Sequence, residues 1–284
     1  MSGPSKAVLI TGCSTGIGHA TALRLARADW NVYATARKPE TLDELVKAGC
    51  TTMALDVCDE AGMTAALERI EGECGAVGVL INNAAYSQSG PIEEVPMADV
   101  RRQFETNVFG ASRLIQLVLP KMRAQRWGKI VNVSSMGGTM VFPGGGYYHA
   151  TKYALEAISD ALRFEVKGFG VDTIIIQPGL IRTAFADNAM KAMDAAVKAD
   201  GPYAKFNAAV AKATQEAYTK PPLSWLAAEP WAVARTIERA ISAANPNARY
   251  KVAPSARLLM FQRWSSPDWA WDAFLRTSFP QPRL

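Results

Sequence analysis

Short apolar runs alternate with longer stretches whose apolar positions recur every three or four residues. Residues 7–10, 31–36, 51–55, 77–81, 128–133 and 171–177 are the short runs, several of them rich in Val and Ile. Continuous apolar runs of that length, closed by turn residues, are what strands buried on both faces look like. Between them the pattern predicts helices over 39–48, 60–71 and 95–122, and one running from the end of a glycine-rich loop (136–146) to about 167. A further helix over 230–244 and a last strand over 249–252 follow. Strand alternating with helix predicts a parallel, doubly wound α/β sheet of about seven strands with helices on both faces.

Two regions depart from this rhythm. Residues 184–228 carry Ala, Lys, Met and Asn with no strand signal, and read as a helical insert placed directly after Pro178-Gly179. That position suits a lid over a substrate pocket. Residues 254–284 hold Leu258, Leu259, Met260, Phe261, Trp264, Trp269, Trp271, Phe274 and Phe279, too aromatic a tail for disorder. It is expected to cover the pocket, form a dimer contact or lie on a membrane surface, in that order. No repeat, low-complexity tract or linker divides the 284 residues, so the chain reads as one domain, 1–284.

Composition narrows the chemistry. The chain is 49% hydrophobic and 20% charged, with 31 basic against 26 acidic residues. That mild excess has no basic run, so nucleic acid is not an expected partner. The four cysteines, Cys13, Cys50, Cys58 and Cys74, lack CxxC spacing and only two histidines exist, which argues against a zinc site and for free thiols. No apolar run reaches the length of a membrane span, and the run after Lys6 is too short for a signal peptide. A cytoplasmic enzyme is expected.

The first strand ends in Gly12-Cys13-Ser14-Thr15-Gly16-Ile17-Gly18, and a helix follows at once. Strand, glycine turn and helix form the context a dinucleotide requires: glycines admit a pyrophosphate, and the helix N-terminus offers free N–H groups. The second strand ends at Ala36-Arg37 with no acidic residue to hold a ribose 2′-hydroxyl. Arg37 is suited to a 2′-phosphate, so NADP(H) is favoured, with NAD(H) as the alternative. Asp56 and Val57 close the third strand, where adenine would sit.

Tyr148 and Lys152 stand four residues apart on a predicted helix, on one face. An ammonium beside a phenol favours the phenolate, so the Tyr148 pKa is expected to fall toward working pH. His149 lies between them in sequence but faces elsewhere and is given no catalytic role.

Jointly, Thr11-Gly12-x-x-x-Gly16-x-Gly18, Asn82-Asn83-Ala84-Ala85, Asn107, Ser135, Tyr148-x-x-x-Lys152 and Pro178-Gly179 resemble the short-chain dehydrogenase/reductase family. Ser135, 13 residues before Tyr148, is at the family's distance for the catalytic serine. The resemblance implies a Rossmann-like fold and hydride transfer between NADP(H) and a carbonyl or secondary alcohol. Tyr148 would then exchange the proton, Ser135 bond the substrate oxygen, and Lys152 tune Tyr148 and hold the nicotinamide ribose. Asn107 would hold a relay water. Gly12, Ile17 and Gly18 would shape the pyrophosphate site together with Ser14, Thr15 and Gly16. Asn83 would approach a ribose, and Ile181 and Thr183, after Pro178 and Gly179, the carboxamide. Two positions depart from the family pattern. Ala85 replaces a glycine, tolerable if its φ is negative. Thr15 stands where many NADP-preferring members carry a basic residue.

The stretch Tyr33-Ala34-Thr35-Ala36-Arg37 and the long insert look most like members acting on retinoids and hydroxysteroids. Met190, Met193, Phe206 and Trp225 point to an apolar substrate. The family's habits imply a homodimer or homotetramer. A catalytically silent cofactor-binding regulator and a membrane-surface interaction protein are the competing readings.

Overall fold

The computed structural model describes residues 3–196 and 201–282; of residue 186 and residues 192–196 it describes the backbone alone. Seven strands form one sheet in the order β3-β2-β1-β4-β5-β6-β7, every pairing parallel. They are β1 (Ala7–Ile10), β2 (Asn31–Ala36), β3 (Thr51–Ala54), β4 (Val79–Asn82), β5 (Gly128–Val133), β6 (Val171–Pro178) and β7 (Arg249–Val252).

The strands are apolar on both faces because both faces are covered. Val8 and Ile10 of β1 point to one layer and Ala7 and Leu9 to the other, all four fully buried. The first layer holds α1 (Gly16–Ala26) and α9 (Pro230–Ser242), which contribute Ala22, Leu25, Val233, Ile237 and Ile241. The second holds α3 (Glu60–Cys74), α5 (Gly110–Ala124) and α6 (Gly146–Lys167), with Leu67, Ile70, Leu114, Ile115, Leu162 and Val166. Burying each such Leu, Ile or Val contributes about 1.5–3 kcal/mol, so these two layers hold the sheet between them.

The chain order reverses between β1 and β4, and a crevice opens there beyond the strand C-termini. The loops carrying Gly12, Asn83, Ser135 and Pro178 all leave the sheet on this edge. Short helix α2 (Asp43–Lys47) lies on the far flank.

One expected helix differs in an informative way. The stretch 95–122 is α4 (Met97–Phe104) and α5 joined by a π-helical turn, Glu105–Phe109. Widened turns of this kind recur at functional sites, and this one carries Asn107. The insert is helical, as expected: α7 (Phe185–Ala196), α8 (Ala204–Thr219) and a 3₁₀ turn, Leu223–Leu226. The tail forms α10 (Pro254–Ser265) and α11 (Asp268–Arg276). Ala256, Leu259, Met260 and Trp271 pack with Met140 against the loop that follows β5, while Leu258, Phe261, Trp264 and Trp269 stay exposed. The tail therefore braces a loop of the site. Among the described residues no helix is long and apolar enough to cross a membrane, and no cluster could hold a metal ion.

Candidate active site

The glycine turn is built for a close approach. Gly12 and Gly16 have φ of +72° and +63°, which favour glycine. A methyl group at Gly18 would meet the Gly12 carbonyl and, at 2.5 Å, the Asn83 Nδ2. Ser14 and Thr15 are exposed, Ile17 is half-buried and Cys13 is buried. Burial pushes the Cys13 thiol up to about 12, so it is an inert packing group. Helix α1 opens at Gly16 with no side-chain cap and no acidic residue in its first turn, leaving its N–H groups and partial positive charge unopposed.

Asn83 holds this turn from below. Its Nδ2 donates to the carbonyls of Thr11 (2.9 Å) and Gly12 (3.0 Å), and its N–H donates to Thr11 Oγ1 at 3.0 Å. Both amide hydrogens are thus spent on the turn's shape. Ala85 is not among the residues with positive φ, so the methyl that replaces a glycine there is accommodated.

The flanks match their expected places. Arg37 is exposed just past β2, and no acidic residue ends that strand. The Asp56 carboxylate accepts from the Cys58 N–H at 3.0 Å, which fixes the turn after β3, and Val57 is buried against Gly110. Beyond β6, Gly179 N–H donates to Val252 O at 2.9 Å, Ile181 is buried, and Thr183 lies 3.2 Å from where a Gly16 side chain would begin. Thr183 and the glycine turn therefore face one another across the crevice.

Ser135, Tyr148, Lys152 and Asn107 converge at the other end. Ser135 Oγ accepts from Gly137 N–H at 3.0 Å and is hydrogen-bonded to Tyr148. Lys152 is 3% exposed; its Nζ donates to Val133 O at 2.8 Å and stands 5.9 Å from the centre of the Tyr148 ring. Asn107 Nδ2 donates to Tyr86 O (2.8 Å) and Thr151 Oγ1 (3.1 Å), and its Oδ1 accepts from Tyr86 N–H (3.1 Å). It clamps the loop after β4 to the turn of α6 next to Lys152.

The electrostatics correct one expectation. Burial pushes the Tyr148 phenol well above its ordinary value; the Ser135 bond opposes this and nearby Tyr218 adds to it. Burial likewise pushes Lys152 down to about 8, with Glu156 pulling the other way. Lys152 is itself short of solvation, so its field does not overcome desolvation of the phenol.

His149 is not turned wholly away from Tyr148, contrary to what its place on α6 suggests: the two rings meet edge-on, centroids 5.6 Å apart, but both of its ring nitrogens are taken up by the loop at 136–146. Its Nε2 accepts from Phe142 N–H at 3.2 Å, so Nδ1 carries the proton and donates to Gly137 O at 3.1 Å. Burial pushes it down to about 4.

The insert reaches the tyrosine. Phe185 packs on the Tyr148 ring, centroids 5.3 Å apart, and Tyr218 of α8 is close enough to bias the phenol. Val210 packs against Gly144 and Ile92 against Gly146. None of these four was singled out from the sequence; the position of the insert hinted at Phe185, Val210 and Tyr218, and nothing hinted at Ile92. Of the residues that were, Trp225 is 75% exposed, Phe206 pairs with Tyr203, and the side chain of Met193 lies outside the described residues.

The short chain dehydrogenase family profile matches residues 6–194. The chain belongs to that family. An uncharacterized oxidoreductase, YbbO, of Escherichia coli K12 is 42% identical over 184 residues, 64% of this chain and 68% of its own. The NADPH-dependent 3-dehydrocapnine reductase of Ornithobacterium rhinotracheale is 33% identical over 269 residues, 92% of each protein. A short-chain dehydrogenase from Streptomyces avermitilis superimposes with a TM-score of 0.80 at 30% identity over 98% of each chain. The protein is thus an oxidoreductase of this family working with a nicotinamide cofactor. The open glycine cradle and the uncapped α1 N-terminus fit such a cofactor.

Proposed function

We propose that the protein is an NADPH-dependent reductase of an apolar carbonyl compound, or the dehydrogenase of the matching secondary alcohol. The observation that carries this reading is the bonded Ser135–Tyr148 pair, with Lys152 behind it and the glycine cradle opposite. NADP(H) is favoured because β2 ends in Arg37 with no carboxylate, and because a relative that aligns over 92% of this chain is named as NADPH-dependent.

The bound cofactor supplies or accepts the hydride. Ser135 accepts from Gly137 N–H and so can turn its own hydrogen toward the substrate oxygen, bonding it as charge develops. Tyr148, held protonated by burial, gives its proton to that oxygen. Lys152, as the ammonium, stabilises the phenolate left behind and would hold the nicotinamide ribose. Asn107 has both N–H groups engaged, so it keeps the π turn against α6. A relay water would be taken by the second lone pair of its Oδ1 or by a backbone carbonyl of that turn. Gly12, Ile17 and Gly18 would cradle the pyrophosphate, and Thr183 the carboxamide.

The insert, as a lid, selects the substrate. Phe185, Tyr218, Val210 and Ile92 around Tyr148 favour an apolar molecule, of which retinoid-like and steroid-like ketones are two forms. Loss of absorbance at the reduced-nicotinamide band, followed with NADPH and with NADH over a panel of ketones, aldehydes and steroids, tests the reading. Turnover of apolar carbonyls with NADPH is expected. Turnover confined to small charged carbonyls would overturn the substrate class, and preference for NADH the cofactor.

A further inference from the structure

Helix α6 carries a second buried charge one turn beyond Lys152. Glu156 is 6% exposed. Its Oε1 accepts from Gln177 Nε2 at 3.0 Å, and its Oε2 accepts from Arg249 Nε at 3.0 Å. The other arm of Arg249 donates to Asp160 Oδ2 at 2.6 Å. Gln177 is fully buried on β6, and Arg249 reaches over from edge strand β7. Above the carboxylate lies the loop after Ser135: a methyl group at Gly138 would meet Glu156 Cγ at 2.9 Å and Ser134 Oγ at 2.7 Å. Three elements therefore fix one carboxylate beneath the reaction centre.

Burying a carboxylate is costly, and an apolar side chain of similar volume would fill such a place at least as stably. The buried charge needs another reason, and Lys152 supplies one. The Lys152 ammonium donates to the neutral Val133 carbonyl and is 3% exposed. The other charged or titratable groups facing the pair are few. Tyr148 and Asp160 lie on α6 itself, Asp160 also pairing with Arg163 of α6, and Arg249 comes from β7. The segment after β5, β6 and the π turn present the uncharged Ser134, Gln177 and Asn107. Helix α10 brings Arg263, which acts on neighbouring Tyr153.

We propose that Glu156 is a positioning residue of the proton-transfer centre: oriented by Gln177 and Arg249, its carboxylate keeps Lys152 as the ammonium. This rests on the role given to Lys152 above. Removing the negative charge makes the ammonium easier to deprotonate. Removing Arg249 frees the field of Glu156 and makes it harder. The two substitutions therefore move one titration in opposite directions, which loosening of the packing cannot do. For charges about one helical turn apart, at an effective dielectric near 20, the shift is roughly two pH units.

The test is the pH dependence of kcat/KM for carbonyl reduction with NADPH. Its alkaline limb reports the first of the pair to lose its proton; that is Lys152, at about 8, because Tyr148 is held higher. In Glu156→Gln the limb falls to lower pH, while activity and NADPH affinity at pH 6 change by no more than about twofold. Glu156→Asp restores part of the shift, and Arg249→Met moves the limb to higher pH. An unmoved limb, a uniform loss of activity at all pH values in Glu156→Gln, or shifts of both variants in one direction would overturn the inference. Should Glu156→Gln fail to fold, Arg249→Met reads the sign alone, and a downward or absent shift there overturns it as well. Full activity in Lys152→Met would instead sink the reading of the centre itself.

Discussion

Two glycine-rich loops border the crevice, and they are glycine-rich for different reasons. In the turn at 12–18, Gly12 and Gly16 need positive φ, and Gly18 lets α1 close onto the Gly12 carbonyl and Asn83. That glycine content lets the turn fold tightly against Ala84, Asn83 and Thr183 just ahead of a helix N-terminus. In the loop at 136–146, Gly137 and Gly145 leave room for the His149 ring, Gly138 for Glu156 and Ser134, and Gly144 for Val210. There the glycines let side chains pack. Glycine count alone would make both loops cofactor cradles. What separates them is what lies against the backbone: mainly the turn's own carbonyl and the strand-end residues Asn83 and Ala84 in the first, and mainly side chains of α6 and α8 in the second.

The sharpest way to separate the loops is Tyr148→Phe. Turnover should fall by about 10²–10⁴-fold, the usual contribution of a positioned proton donor, with NADPH affinity retained. Fluorescence titration of NADPH beside steady-state rates measures both, and full activity would refute the mechanism.

Gly18→Ala and Gly137→Ala come next. Each should destabilise the fold by about 1–3 kcal/mol, as overpacking does. Only Gly18→Ala should also lose most NADPH affinity. Thermal melts with and without NADPH distinguish them, and equal loss of cofactor binding in both would break the comparison.

Arg37→Asp should lower the NADPH-over-NADH preference about tenfold or more, as expected for loss of a charge-assisted bond to phosphate. An unchanged ratio of kcat/KM for the two cofactors would remove Arg37 from the site.

The last effect falls on stability rather than turnover and concerns His149, whose folded pKa lies near 4, below its ordinary value of 6.5. The unfolded chain takes up a proton on this residue before the folded one does. The stability tied to neutral His149 is therefore present above about pH 6.5 and is lost as pH falls toward 4, by at most about 3 kcal/mol. In His149→Gln the melting temperature should depend less steeply on pH over that window; an equal slope would show that the histidine does not hold the loop at 136–146.

Much of the site was legible in residue order because backbone chemistry imposes it. A parallel strand must be apolar on both faces, a pyrophosphate needs glycine before a helix, and a proton-transfer pair on a helix needs a spacing of four. Gly12, Tyr148 and Lys152 stand at the crevice for those reasons, whereas Ser135 was singled out by its distance from Tyr148 in the family pattern. The bonds by which Asn83 holds the turn were not legible, since only the fold brings the carbonyls of residues 11 and 12 to its amide. The π turn around Asn107 has no periodicity that apolar spacing over 95–122 would reveal. The environment of Tyr148 was misjudged because desolvation depends on what covers a group, and its cover, Phe185 and Tyr218, lies about 40–70 residues away.

Local rules of sequence thus determined which elements form, how they alternate, and which residues the crevice receives, because each is set by the chain within a few residues of itself. Tertiary structure alone decided the charge states and partners. Long-range packing put Arg249 and Gln177 on Glu156, Phe142 and Gly137 on His149, and Phe185 of the insert on Tyr148. A buried group's protonation follows its dielectric surroundings and its neighbours in space, and neither can be read from neighbours in sequence.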